Sequence, residues 1–254
     1  MIEIFGPAEL QRAGESGAFI SSVLQSLKKR ITVGTNLLEI DQWAGEMIRE
    51  AGARSCYVDY APDFGSGPFG HFICTSLNDA VLHGMPYDYA LKNGDLLTLD
   101  FAASLNGFVA DAAISFTVGA PINTTDAKMI KATQLALAAG INAAVPGARI
   151  GDISHAIGSV LTDAGYLVNT EFGGHGVGST MHQDPHIANI GRPGRGYKLR
   201  AGLLLAIEPW VMLDTATLKT DADGWTLKSA TGARTAHTEH TIAITEDGPR
   251  ILTH

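Results

Sequence analysis

The chain of 254 residues has 45% hydrophobic and 17% charged residues, which is the composition of a globular protein with a sizeable core. Its net charge of −8 argues against a nucleic-acid-binding surface, because the phosphate backbone attracts basic proteins. The two cysteines, Cys56 and Cys74, are too few for a disulfide framework and fit a reducing compartment, although they could form one bond.

Signals for export or membrane insertion are not found in the sequence. The first ten residues lack the basic and apolar regions of a signal peptide. No apolar run approaches the roughly 18 residues that a membrane-spanning helix needs. We therefore expect a cytoplasmic protein without membrane contact.

Two helices are predicted in the first quarter of the chain. A proline in the first turn and basic residues in the last favour a helix over 7–30. Asn36 and Glu39 form a capping-box pattern that favours a second helix over about 36–51. Gly52 then follows as a plausible C-cap.

The stretch 96–116 predicts two strands joined by a tight turn at Asn106-Gly107, because type I′ turns prefer Asn-Gly. The resulting register places Ala102 opposite Asp111. Asp100 then lies on the same face as a diagonal neighbour of Asp111, roughly 7–8 Å away. Two acids among apolar residues repel each other unless a cation lies between them, so we infer a metal site.

The remaining elements complete an α+β arrangement in which each half has two helices followed by strands. No change in composition marks a domain boundary, so we expect one domain over 1–254 with related halves of about 1–120 and 121–254. These further elements are a Gly- and Pro-rich loop at 60–71, short strands near 72–76 and 80–82, helices over about 124–143 and 151–164, a glycine-rich loop at 173–176, and strands near 203–213, 224–229 and 235–245.

Three further polar residues stand out from their surroundings. Glu208 lies in an apolar strand, where an unpaired carboxylate is costly, and Glu239 lies beside another such run. His175 lies between glycines, where the backbone can approach a ligand closely. Together with the two aspartates these groups would suit a pair of divalent cations. Taken singly, a glutamate in a strand is more often an edge or ion-paired residue.

Five motifs occur in an order that gives the chain a specific resemblance over almost its whole length. The chain resembles the type I methionine aminopeptidases of the pita-bread fold. That fold is an antiparallel sheet with pseudo-twofold-related halves and helices on its outer face. The motifs are 78–86 (NDAVLHGMP), Gly94-Asp95 leading to Asp100 and Asp111, 174–178 (GHGVG) with His182, Ile207-Glu208-Pro209, and Glu239-His240-Thr241.

The resemblance implies a centre of two divalent metal ions, Co²⁺, Mn²⁺, Fe²⁺ or Zn²⁺, among which the sequence does not choose. In the family, the positions of Asp111 and Glu239 bridge both ions. The position of Asp100 binds one ion, and the positions of His175 and Glu208 bind the other.

The resemblance also implies a reaction, which is removal of the initiator methionine from nascent proteins and peptides with a small second residue. A hydroxide held between the two ions attacks the scissile carbonyl, and Glu208 carries a proton to the leaving amine. His83 and His182 match family histidines that hydrogen-bond the substrate. From the residues alone, His83 would be read as a turn residue and His182 as a surface loop histidine.

The substrate methionine needs an apolar pocket, which by the same resemblance is lined by Cys74, Trp225 and Met181. An inert core thiol at Cys74 and an ordinary strand aromatic at Trp225 are the competing interpretations. Met181 stands where the family usually has Phe or Leu.

The loop over 60–70 departs from the family pattern, because it is longer and richer in glycine. Its aromatic residues, Tyr60, Phe64 and Phe69, receive no predicted role.

Two alternative functions remain open at this point. A proline-directed pita-bread peptidase usually carries an extra N-terminal domain, for which 254 residues leave no room. A non-catalytic binding protein of this fold would have lost metal ligands, whereas all five positions are filled here. As partners we expect nascent polypeptide N-termini, including those at the ribosome, with no nucleic acid or membrane contact, and we expect a monomer.

Overall fold

A computed structural model of the chain describes residues 2–62 and 65–254, which form four helices and fourteen strands. In chain order they are α1 (Pro7–Arg30), α2 (Leu37–Glu50), β1 (Arg54–Ser55), β2 (Cys74–Leu77), β3 (Ala80–Leu82), β4 (Leu96–Leu105), β5 (Phe108–Thr117), α3 (Thr124–Ala143), α4 (Ile150–Asp163), β6 (Gly173–Gly176), β7 (Gln183–Ala188), β8 (Leu204–Ile207), β9 (Trp210–Met212), β10 (Leu218–Thr220), β11 (Leu227–Ser229), β12 (Thr235–His237), β13 (Glu239–Thr245) and β14 (Gly248–Ile251).

The four predicted helices are confirmed to within a residue or two at each end. The Asn36 side chain accepts a hydrogen bond from the Leu38 N–H (3.0 Å), and Glu39 accepts one from the Asn36 N–H (2.8 Å). Gly52 follows α2 with φ +64°, which glycine adopts without strain. Within the described part of the chain, no helix is long and apolar enough to span a bilayer.

The predicted hairpin is confirmed in its register. Leu105 pairs with Phe108 and Ala102 pairs with Asp111. Both turn residues have positive φ, 52° at Asn106 and 83° at Gly107, as a type I′ turn requires.

One nine-stranded antiparallel sheet joins the two halves of the chain, in the order β1-β4-β5-β13-β8-β6-β7, with β2 on β4 and β14 on β13. The junction is the β5–β13 pair. There the Thr241 hydroxyl accepts a hydrogen bond from the Asp111 N–H and donates one to the Asp111 carbonyl, both at 2.8 Å. The two halves therefore meet at Asp111.

Two apolar cores attach the helices to this sheet. Ile20 of α1 and Leu37 of α2 pack with Leu97 of β4 in the first core. Ile153 of α4 packs with Leu205 of β8 in the second. The observed arrangement is the expected α+β class, with each half contributing one helix pair.

The predicted glycine-rich loop at 173–176 is wrong, because these residues form strand β6 between β7 and β8. A Cβ at Gly174 would collide with the Ala206 carbonyl oxygen, and one at Gly176 with the Asp184 carbonyl oxygen. The glycines therefore permit a close approach of neighbouring backbones rather than a turn.

Two predicted strands are divided in the structure, and several short strands were not predicted. The strand over 203–213 is interrupted at Glu208-Pro209, because proline has no N–H for the ladder. The strand over 235–245 is interrupted at Thr238, and the one near 224–229 shrinks to β11. The strands without a prediction are β1, β7, β10 and β14.

Candidate functional site

The structure brings the five predicted metal-binding residues to one cavity, which lies where the two halves of the chain meet. Its polar wall is formed by Asp100, Asp111, His175, Glu208 and Glu239. One ligand atom each from Asp111, His175 and Glu239 lies within 4.8 Å of the other two. His175 Nε2 is 3.7 Å from Glu208 Oε1.

Strand register explains why these side chains converge. Cys74, Asp100, Ala113 and Glu239 form one row of paired residues across β2, β4, β5 and β13. Residues in such a row project to the same face of a sheet. In the next row of the sheet, Thr241 contacts Asp111 and pairs with Ala206. Ala206 in turn pairs with His175, so this row brings Asp111 and His175 to the cavity.

Burial and mutual repulsion disfavour ionisation of the cavity acids. Burial raises the pKa of Asp100 to about 6. Burial and the Asp100 charge raise the pKa of Glu208 to about 8. The pKa values of Asp111 and Glu239 rise well above their usual values, through burial first and then through neighbouring acids. Among the described residues, no lysine or arginine lines this cavity.

The donor set fits divalent transition metals, which bind carboxylate oxygens and imidazole nitrogens. The buried Oε1 atom of Glu239 has no hydrogen-bond partner within the described ranges, so a polar group is left for a ligand. His175 Nδ1 lies 3.0 Å from the Gly176 carbonyl oxygen, to which it can donate. When Nδ1 donates this bond it carries the proton of the neutral ring. Nε2, which faces Glu208, then has the free electron pair.

Both predicted substrate-binding histidines line the cavity. His83 follows β3 with φ +56°, as the turn interpretation expected, but its ring also lies 5.9 Å from the Phe172 ring. Burial lowers the pKa of His83 to about 4, which keeps the ring neutral. His182 is exposed at the mouth, and its Nδ1 is 2.8 Å from the Tyr60 hydroxyl.

An apolar wall faces the polar one. The predicted residues Cys74, Met181 and Trp225 are all buried in it. The loop residues that had no predicted role, Tyr60 and Phe69, also belong to this wall, with the rings of Phe69 and Trp225 edge to face at 5.2 Å. The third loop aromatic, Phe64, lies outside the described residues.

Sequence reasoning missed two polar residues at the site. The Tyr57 hydroxyl donates to Asp100 Oδ1 (2.7 Å) and lies 3.4 Å from Asp111 Oδ1. No local sequence signal marks this residue. His237 Nε2 lies 3.8 Å from Glu239 Oε2. Its position two residues before Glu239 could have predicted a shared face, since strand side chains alternate.

Comparison with known proteins places this geometry in a family. The sequence pattern of metallopeptidase family M24 matches residues 11–246. A methionine aminopeptidase of Clostridium acetobutylicum is 39% identical over 254 residues, which covers 100% of this chain and 99% of the relative.

Solved structures agree with this assignment. A crystal structure of methionine aminopeptidase from Thermotoga maritima superposes with a TM-score of 0.93 at 34% identity, covering 100% of this chain and 99% of the other. Prolidase from Pyrococcus furiosus has a TM-score of 0.77 at 20% identity, covering 99% of this chain and 65% of the other, which shows a shared fold alone. The expected pita-bread fold is confirmed, and the chain belongs to metallopeptidase family M24, where its full-length relatives are bacterial methionine aminopeptidases.

Proposed function

We propose that this metallopeptidase removes the N-terminal methionine from peptides and nascent proteins whose second residue is small, with two divalent metal ions at its centre. The observation that carries the proposal is the single cavity in which His175 and four acids, three of them buried and Glu208 partly buried, face an apolar wall. The names of the full-length relatives support the same activity.

Five residues would hold the ions, which are Co²⁺, Mn²⁺, Fe²⁺ or Zn²⁺. Asp111 and Glu239 would be shared between both ions, Asp100 would hold one, and His175 with Glu208 would hold the other. Bound divalent cations supply Lewis-acid polarisation of the scissile carbonyl and acidify water near neutral pH. Burial first, and then repulsion among the acids, raises the pKa values of Asp111 and Glu239 in the metal-free protein, and the same repulsion favours binding of cations.

The protein's own side chains would position the substrate and move its proton. Glu208 accepts a proton from the attacking water and returns it to the leaving amine. His83 and His182, one partly buried and the other at the mouth, hydrogen-bond the substrate backbone. The Tyr60 hydroxyl, 2.8 Å from His182 Nδ1, holds that ring in place.

The apolar wall accounts for the choice of methionine. A flexible thioether side chain fits a wall of aromatic and sulfur-containing groups, because polarizable sulfur makes favourable contacts with aromatic rings. Phe69, Cys74, Met181 and Trp225 provide such a wall.

The wider setting belongs to the same proposal. The enzyme acts in the cytoplasm as a monomer on nascent N-termini, including those at the ribosome. Residues 1–254 form one catalytic domain with halves of about 1–120 and 121–254.

The test is a peptide assay on metal-free protein. Mn²⁺, Co²⁺, Fe²⁺ or Zn²⁺ is added in turn, and release of the first residue is followed for Met-Ala-Ser, Leu-Ala-Ser and Ala-Pro-Ala. We expect metal-dependent cleavage of the Met peptide only, and its loss in Asp100→Ala. Preference for the Pro peptide would instead indicate a proline-directed peptidase. Folded protein that cleaves none of the peptides with any metal would refute the proposal.

A further inference from the structure

His237 is a third imidazole beside the cavity acids, and the proposed reaction does not use it. Its side chain is 2% exposed. Neither ring nitrogen has a hydrogen-bond partner in the described part of the chain. A buried polar group without a hydrogen-bond partner lowers the free energy of unfolding by about 1–3 kcal/mol, so its presence needs an explanation.

The ring points at two of the acids. Nε2 lies 3.9 Å from Glu208 Oε2 and 3.8 Å from Glu239 Oε2. Both distances exceed the usual length of a hydrogen bond by less than 1 Å. A small movement of either carboxylate would therefore complete a hydrogen bond with His237.

The backbone of His237 is held on both sides, and its ring is buried. Its N–H donates to Ser115 Oγ (3.0 Å), and its carbonyl oxygen accepts from the same hydroxyl (2.7 Å). Strand pairing with Trp210 holds the residue from the other side. With the backbone held and the ring buried, a turn of the glutamate side chains is the simplest movement that forms the bond.

We propose that His237 is a positioning residue, whose single Nε2–H makes one bifurcated hydrogen bond to Glu208 Oε2 and Glu239 Oε2 once these side chains turn to hold metal ions. The inference rests on the proposed two-metal function and adds a residue to it. Donors behind metal-binding carboxylates orient the ligand atoms, and their loss typically weakens metal affinity 10- to 100-fold.

The proposal predicts that replacing His237 has different effects in the metal-bound and the metal-free protein. Without metal the imidazole has no partner, so its replacement by an apolar group of similar size leaves stability unchanged or higher. With metal the same replacement removes a hydrogen bond. A histidine that only supported the fold would show the opposite pattern.

The experiment measures Mn²⁺ affinity by titration calorimetry and the melting temperature of the metal-free protein. For His237→Leu we expect 10- to 100-fold weaker binding of Mn²⁺ and no loss of metal-free melting temperature. For His237→Gln we expect affinity close to wild type, because the amide nitrogen reaches about as far as Nε2. His237→Asn keeps a donor that falls short, and we expect it to bind as weakly as the Leu variant.

His240→Leu is the matched control. His240 lies next to Glu239 on β13 but on the opposite face, and its Nδ1 is 2.9 Å from Thr253 Oγ1. We expect this variant to lower the metal-free melting temperature and to leave Mn²⁺ affinity unchanged.

The outcomes separate the inference from the function on which it rests. If wild type binds no Mn²⁺, both fail together. Wild-type binding with unchanged affinity in His237→Leu overturns the inference alone, as does a parallel loss of metal-free stability and affinity. Should the Leu variant not fold, equal affinities of the Gln and Asn variants would overturn it.

Discussion

Asp126 and Asp111 are both buried carboxylates, but of these two only Asp126 is paired with a cationic side chain of the protein. Asp126, in the first turn of α3, is 2% exposed and receives two hydrogen bonds from Arg234, Nε–Oδ1 (2.9 Å) and Nη2–Oδ2 (2.7 Å). Asp111, 4% exposed, lies instead among other acids.

The difference separates an acid that the fold pairs with a cation from acids that the proposed function assigns to metal ions. Burying a carboxylate is costly unless a partner balances its charge. The sequence provides this partner for Asp126 within the folded chain. In the cavity the pKa values of the acids are raised instead, and in the proposed function metal ions balance their charge. Four variants or conditions test this comparison.

Asp111→Asn should have the largest effect on activity. The pKa of Asp111 is raised well above its usual value, so asparagine resembles the protonated acid. The substitution should therefore not lower the free energy of unfolding of the metal-free protein. Peptide cleavage with Mn²⁺ should fall about 10²–10³-fold, as for loss of one key electrostatic group. Urea unfolding and the Met-Ala-Ser assay check the two expectations. Activity near that of wild type would contradict the assignment.

Arg234→Met should have the opposite effects, a loss of stability without a change at the metal site. It leaves Asp126 buried without a counter-charge, and the free energy of unfolding should fall by about 3 kcal/mol. Mn²⁺ affinity of the folded protein should not change. In the double variant with Asp126→Asn, much of the stability should return. A single-variant loss below about 1 kcal/mol would mean that this ion pair matters little.

Raising the pH should destabilise the metal-free protein. Above pH 7 the unfolded chain has ionised carboxylates, whereas folded Glu208, with its pKa raised to about 8, still holds part of its proton, and the pKa values of Asp111 and Glu239 are raised in the same direction. The folded state thus binds more protons than the unfolded state. The free energy of unfolding therefore falls from pH 7 to 8.5, by about 1.4 kcal/mol per pH unit for each extra proton that the folded state holds.

The pH effect is measured by urea unfolding across that range. Saturating Mn²⁺ should flatten the dependence, because metal replaces the protons. A metal-free stability that rises with pH would show that the cavity acids are ionised without metal.

Tyr57→Phe should have the smallest effect. It removes the hydroxyl that donates to Asp100, so the free energy of unfolding should fall by about 1 kcal/mol and Mn²⁺ affinity about 10-fold. Tyr89→Phe is the control, because its hydroxyl donates to Asp95 (3.1 Å), which does not line the cavity. Equal Mn²⁺ affinities in the two variants would exclude a role for Tyr57 at the site.

The parts of the fold that were predictable rest on local rules. The Asn106-Gly107 turn sets the hairpin register, and that register alone brings Asp100 and Asp111 to one face. Helix ends were predicted because capping is also local, as at Asn36. The wider cluster of predicted site residues came from the order of motifs along the chain, since spacing alone left each acid with an ordinary structural interpretation.

The parts that were not predictable depend on contacts between distant segments. Tyr60 and His182 touch across 122 residues of sequence. Strand β6 is glycine-rich because neighbouring backbones approach it, which no local pattern reveals. Tyr57 contacts Asp100 of β4 across 43 residues of sequence. The residues around Tyr57 in the sequence therefore carry no signal of this contact.

The place of β13 in the sheet has a consequence for biosynthesis. This strand is the second from the C-terminus, yet it lies between β5 and β8 at the middle of the sheet. A chain still emerging from the ribosome has already made Asp100 and Asp111, but not Glu239 or the Thr241 contact that joins the halves. The cavity is complete only after β13 has been synthesised and has paired with β5 and β8. The cavity therefore forms late in biosynthesis, although Asp100 and Asp111 are made early.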